Sequence, residues 1–296
     1  PPIRTLGTVG FIASMWLVNS LSFGLETNAQ FTYMQLVVSG VLGLILGLYS
    51  FTLPQCPLDK SATAEKSFAQ RMGLDAFVLF KERKMALFFI FSMLLGVALQ
   101  ITNGFANPFI SHFKVVREFA GSWGAENANA LISISQVSET LGILLIPVAM
   151  RLFGIKKVML IAMFAWVLRF GLFGAGNPGP GVWMLILSMI VYGVAFDFFN
   201  ISGSLYVNSR TTGKIQNSAQ GLFMLMTNGI GATIGTLSAQ AVVNKFTSTF
   251  ESTSGSFIVG DWSTVWYIFA GYALVIAVLF AVIFRYKHTP ETVDKK

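Results

Sequence analysis

The chain has 296 residues, of which 54% are hydrophobic and only 11% charged, and its mean hydropathy is +0.67. A soluble domain carries about 25% charged residues, so this composition excludes a water-soluble globular protein. The net charge of +7 would point to nucleic acid if it were clustered. Instead the basic residues fall in short connections between apolar spans, the distribution of a membrane topology.

A helix needs about 20 apolar residues to cross a bilayer. Stretches of that order at 5–24, 32–53, 85–110, 128–150, 158–175, 182–206, 219–243 and 263–284 predict eight transmembrane helices. They are continuous rather than alternating, which excludes a β-barrel. The chain opens on PPIR with neither a basic n-region nor a small-residue cleavage site, so it does not begin with a signal peptide and reads as a fragment of a longer protein. Cys56 stands alone and excludes an internal disulfide.

Orientation follows from Lys and Arg. The connections at 54–84, 151–157 and 207–218, with the tail from 285, hold fifteen of them, against Lys114, Arg117 and Lys245 on the opposite side. Both ends and the 54–84 connection are therefore expected in the cytoplasm. That connection divides the chain. Residues 1–53 are expected to form the last two helices of one six-helix half, 54–84 a cytoplasmic linker, and 85–296 a complete six-helix half with a short cytoplasmic tail. Within the linker, Leu74, Phe77 and Val78 share a helical face ahead of Lys81, Arg83 and Lys84, the pattern of an amphipathic helix on the membrane surface.

Polar residues inside the spans fall on stripes. Arg4, Thr8 and Phe11 share one face of the first span, although Arg4 could also snorkel to the interface. Gln100 and Asn103, followed by Asn107, put three amides on one stripe of the third, which lines something polar or glues helices together. Gln136 and Glu139 stand three apart in the fourth, below Ser133 and Ser135. Tyr192, Phe196 and Asn200 repeat every four residues in the sixth, with Asp197 beside Phe196. GLILG at 43–47 and GATIG at 231–235 permit close helix approach. Arg169, near the end of its span, is read as snorkelling outward.

Glu139 and Asp197 are the informative pair. An ionised carboxylate at that depth costs roughly 2.5–3.5 kcal/mol on insertion scales, so a chain that keeps two is expected to use them for proton or solute handling. The plain alternative is two protonated acids hydrogen-bonded for packing. Desolvation disfavours the charged form, so either acid could take a proton from outside and release it to the cytoplasm. His112 and His288 lie in connections, and no HExxH, Cys/His cluster, Walker or dinucleotide motif occurs. No catalytic residue, metal or cofactor is expected. The set of two acids, an arginine, amides, hydroxyls and rings suits a neutral, hydroxyl-rich solute with a flat face. A sugar fits partly; a nucleoside fits all of it.

The strings PPIRTLGTVGF, LQITNGFANPF, SISQVSETL, LSMIVYGVAFDFFNISGS, SAQGLFMLMTNGIG and VWYIFAGY, with the closing RYKH, resemble the bacterial nucleoside–proton symporters of the major facilitator superfamily. The resemblance runs over essentially the whole chain and aligns it with the fifth to twelfth helices of a twelve-helix protein. It implies an all-α membrane protein that imports nucleosides with protons across the inner membrane by alternating access. It implies a cavity lined by Arg4, Thr8, Phe11, Gln100, Asn103, Gln136, Glu139, Tyr192, Phe196 and Asp197, with Glu139 and Asp197 the proton-coupling candidates. The partners expected are the nucleoside, the proton and the bilayer, with no nucleic acid, and the protein is expected to be a monomer. A sugar or oligosaccharide symporter of the same fold is the alternative. A membrane-embedded enzyme using the two acids is a third reading, for which the sequence offers neither nucleophile nor metal.

Overall fold

A backbone without water must satisfy its own hydrogen bonds, and helix is what these apolar stretches form. The computed structural model describes residues 2–21, 32–54, 73–252 and 255–284, the side chains of residues 2–5 and of Lys214 excepted. Its long helices are α1 (Pro2–Ser20), α2 (Met34–Ser50), α3 (Arg83–His112), α4 (Ala128–Ala175), α5 (Val182–Arg210), α6 (Gln216–Phe246) and α7 (Trp262–Ile283). Among the described residues, α3 to α7 are the five helices long and apolar enough to cross a membrane, while α1 and α2 are shorter apolar helices. The expected count of eight is therefore not what length and composition alone return.

Part of the difference lies in α4, which runs for 48 residues and contains both expected spans 128–150 and 158–175. Its helical backbone is interrupted at Gly154, where φ is 73° and ψ 165°. Ser135, before the interruption, donates to the Met189 sulfur at 3.0 Å, and Arg169, after it, reaches the same atom at 3.9 Å. In a straight helix 34 residues rise about 51 Å. The chain therefore doubles back at Gly154, at a left-handed φ that a side chain would oppose. Two apolar arms result, each packed along α5.

The faces of these arms are inside out relative to a soluble protein. Ser135, Glu139 and Gly142 are buried, whereas Leu141, Leu144 and Leu145, on the other side of the same helix, are 57%, 65% and 55% exposed. Water would penalise that exposure, while lipid does not, since its tails are as apolar as leucine. Between helices the core is aromatic: Phe109, Phe170, Phe173 and Trp266 form one cluster, and Phe88, Phe199, Tyr206 and Phe223 another.

α3 and α6 cross on glycine. A methyl on Gly96 would overlap the Thr227 carbonyl, one on Gly231 the Met93 carbonyl, and one on Gly235 would sit 3.1 Å from the Gln100 Cβ. Around this crossing α6 widens into a π-helical turn at Leu225–Gly231. The GATIG spacing thus does allow close approach. Gly43 and Gly47, by contrast, meet nothing within 4 Å among the described residues.

The expected linker 54–84 is described only from residue 73, where Leu74–Lys81 forms a 3-10 helix. Leu74, Phe77 and Val78 are exposed there, while Phe80 packs on Phe89. The all-α expectation needs one correction. Between α6 and α7 an antiparallel hairpin pairs β1 (Thr247–Ser252) with β2 (Gly255–Gly260), Phe250 opposite Phe257. Its Thr, Phe, Ile and Val content favours strand, but each strand is too short to register against the apolar spans around it.

The hairpin leads into a capped helix. Asp261 accepts the Thr264 hydroxyl at 2.6 Å and the Thr264 N–H at 3.0 Å. These two bonds hold its carboxyl below the ordinary carboxylate value. A depressed carboxyl contributes stability above its unfolded-state value and loses it as pH falls through the folded one. Asp261→Ala is accordingly expected to lower the thermal midpoint of the solubilised protein at pH 7, with the deficit shrinking in acid. Equal midpoints at pH 7 would show the cap to be inert.

Candidate functional site

The two acids meet on one seam. On α4, Ser135, Glu139 and Gly142 follow at i, i+4 and i+7, so they line a single stripe. On α5, Met189, Tyr192, Gly193 and Asp197 make the matching stripe. The helices touch where both lack a side chain: a methyl on Gly142 would stand 3.1 Å from the Gly193 carbonyl oxygen and 3.4 Å from an Asp197 carboxylate oxygen, and one on Gly193 would overlap the Ser138 carbonyl. The Ser138 hydroxyl also donates to the Ile190 carbonyl. Asp197 thus lies against α4 one turn from Glu139. Asp197 is fully buried and Glu139 is 8% exposed.

Aromatic rings flank the acids. Tyr192 is buried and stacks flat on Phe196, with centroids 5.6 Å apart and planes at 5°. Trp166, from the second arm of α4, meets Tyr192 edge-on at 5.9 Å. Phe196 and Asn200 open onto a cleft shared with Gly96 and Leu99 of α3, Trp166 of α4 and Thr227 of α6. Asn200 keeps its amide on the Phe196 carbonyl at 3.0 Å.

The remaining expected residues divide. Gln136 and Gln100 are half-buried, and Asn103 is exposed. Asn107, the third amide of that stripe, donates instead to Asn129 at 2.6 Å and accepts the Ser111 hydroxyl, a helix-joining role rather than a cavity-lining one. Thr8 is buried but Phe11 is 52% exposed, so the first span's stripe is not turned uniformly inward; the Arg4 side chain lies outside the described residues. α1 docks on α4 through Trp16, which donates to Ser133, and Asn19, which donates to Asn127.

Two features were missed. Trp166 and Thr227 line the cleft, but an isolated tryptophan and threonine in apolar spans carry no signal. Arg169 does not snorkel: it is 1% exposed, with its guanidinium between Phe173 and Tyr192.

A model of the nucleoside H+ symporter family matches residues 1–289. Nucleoside permease NupG of Escherichia coli is 48% identical over 289 residues, 97% of this chain and 66% of its own length. The xanthosine permease of Escherichia coli is 48% identical over 298 residues, covering 100% of this chain and 68% of its own. The chain thus spans about two thirds of the length of these relatives. The crystal structure of the nucleoside transporter NupG superposes with a TM-score of 0.81 at 48% identity, covering 97% of this chain and 67% of that one. An aspartate-to-alanine variant of NupG superposes at 0.84 with 47% identity, covering 96% and 67%. These likenesses and the apolar helices make this a multi-pass membrane protein, and the chain belongs to the nucleoside H+ symporter family.

Proposed function

We propose that the protein imports nucleosides together with protons across the inner membrane by alternating access. The observation that carries this reading is the burial of Glu139 and Asp197 on one seam between helices whose outer faces expose leucine. A carboxylate pair in that setting is expensive unless it is used, and the ring pair Tyr192–Phe196 beside it offers a surface for a planar base. The names of the relatives, a nucleoside permease and a xanthosine permease, favour a nucleoside over a sugar and a carrier over an enzyme.

In this reading α1, α2, the two arms of α4 and the other four long helices are eight transmembrane segments. Residues 1–53 belong to one half and 85–296 to the other, with both ends of the chain cytoplasmic and the protein a monomer. The residues that meet the solute in this reading are Arg4, Thr8, Phe11, Gln100, Asn103, Gln136, Glu139, Tyr192, Phe196 and Asp197. The amides and carboxylates replace the water hydrogen bonds of the sugar hydroxyls, each worth about 1–3 kcal/mol if left unmade. Protonation of the acid pair removes its charge from the seam and allows the halves to rock.

The test is uptake of a labelled nucleoside panel by the full-length protein in cells lacking their own importers. Accumulation that a protonophore collapses, and that nucleosides but not sugars compete away, is the expected result. Competition by sugars alone would replace the substrate class, and accumulation indifferent to the protonophore would remove the proton.

A further inference from the structure

The buried charge of Arg169 has no place in the stripes that define the cavity. Its Nη1 donates to the Ser188 carbonyl at 2.6 Å, and the Ser188 hydroxyl donates back to the Arg169 carbonyl at 3.0 Å. The guanidinium lies 4.7 Å from the ring centroids of both Phe173 and Tyr192. Among the described residues its Nε has no hydrogen-bond partner, and the groups it does touch are a carbonyl, a thioether and two rings. No carboxylate is among them. A guanidinium stays charged inside a protein. With no ion pair among the described residues to cancel it, its field reaches across a low-dielectric interior more strongly than it would through water.

The groups that receive that field lie beyond the Tyr192 ring. The Met189 sulfur that Arg169 approaches at 3.9 Å also accepts the Ser135 hydroxyl, one turn before Glu139, and Tyr192 under the guanidinium shares its buried stripe of α5 with Asp197. The ring is also clamped on three sides: by the guanidinium, by Phe196 stacked flat, and by Trp166 edge-on. We propose that Arg169 is a positioning residue of the transport site, fixing the Tyr192–Phe196 ring pair and supplying a positive charge against which Glu139 and Asp197 exchange the proton. This rests on the transport reading above. Among the described residues, the titratable groups facing this region are Tyr192 and Asp197 from α5, Glu139 from α4 itself, His112 from α3 and Tyr267 from α7. His112 stacks on Phe109, which in turn packs on Phe173, and Tyr267 lies against Gly174. The carboxylates are therefore the groups whose proton exchange Arg169 governs.

The experiment compares full-length wild type, Arg169→Met, Arg169→Lys and Ser188→Ala in uptake against external pH, with the amount of each protein in the membrane measured. An adjacent cation lowers the proton affinity of a carboxylate by 1–3 pH units at close range, and here the charge acts across a ring. Arg169→Met is expected to move the pH of half-maximal uptake upward by about one unit. Arg169→Lys keeps the charge but loses the planar fork and stack, so it should hold the midpoint while raising KM about threefold. Ser188→Ala removes a helix-joining bond without touching the charge and should leave the midpoint unchanged.

A second readout does not depend on transport. Tryptophan emission of the purified proteins, which includes Trp166 against Tyr192, is titrated with pH and should show the same upward displacement in Arg169→Met. If the wild type moves no nucleoside but the emission midpoint still shifts, the transport reading fails and the influence of Arg169 on the pair stands. Emission midpoints identical in wild type and Arg169→Met, or a shift as large in Ser188→Ala, overturn the proposal.

Discussion

Asp197→Asn in the full-length protein is expected to abolish accumulation of substrate against a gradient while leaving the transporter in the membrane. Asn keeps the volume and a hydrogen-bonding oxygen at a fully buried position that lies against Gly142, but it cannot cycle a proton. One charge moving through 100 mV supplies about 2.3 kcal/mol, which at about 1.4 kcal/mol per decade allows roughly fortyfold accumulation. The variant should fall to parity between the two sides, with exchange of labelled for unlabelled substrate persisting. Glu139→Gln, one turn away on α4, should reduce accumulation as well. Unchanged accumulation ratios in both variants would end the claim that these acids carry the proton.

Gly193→Ala should produce the largest loss of stability of any single methyl on this seam. The added carbon would overlap the Ser138 carbonyl carbon and oxygen, which belong to backbone and cannot turn aside. α4 and α5 would have to separate at the level of Glu139 and Asp197. Overpacking a tight interior costs about 1–3 kcal/mol, occasionally more, and this site belongs at the upper end because both neighbours are main chain. Gly96→Ala, against the Thr227 carbonyl, should behave similarly at the α3–α6 crossing. Gly171→Ala is the control: nothing lies within 4 Å of its added carbon, and alanine is the better helix former. Thermal unfolding in detergent should rank Gly193→Ala and Gly96→Ala well below the parent, with Gly171→Ala level with it. A Gly193→Ala midpoint equal to the parent would mean that the helices have slack at this crossing.

The two predictions draw on different kinds of information. That Glu139 and Asp197 are buried was readable from their depth in apolar stretches, and the alignment of Glu139 with Gln136 and of Asp197 with the Tyr192–Phe196 stripe followed from helical spacing. That their helices pack directly on each other through Gly142 and Gly193 was not readable. Both glycines sit in ordinary apolar spans, and neither lies in the two GxxxG spacings that stood out. One of those, at 231–235, does mark a crossing; the other, at 43–47, meets nothing among the described residues.

Hydropathy is a sum over neighbours in the chain, so the sequence by itself determined that the apolar stretches are helical and, among the described residues, where most of them end to within a few residues. It also placed the acids on inward stripes, because burial of a carboxylate among leucines leaves few alternatives. The destination of each remaining polar group depended on which face met which helix, a relation between residues tens of positions apart. Tertiary structure therefore decided that Asn107 pairs with Asn129 and that Phe11 remains exposed. It decided that α4 doubles back at Gly154, and that a short hairpin stands between α6 and α7. It also placed Arg169 between two rings rather than at the membrane surface. A long cationic side chain can run toward the interface or into the bundle from the same position, and only the aromatic pocket built by Phe173 and Tyr192 from separate helices selects the second.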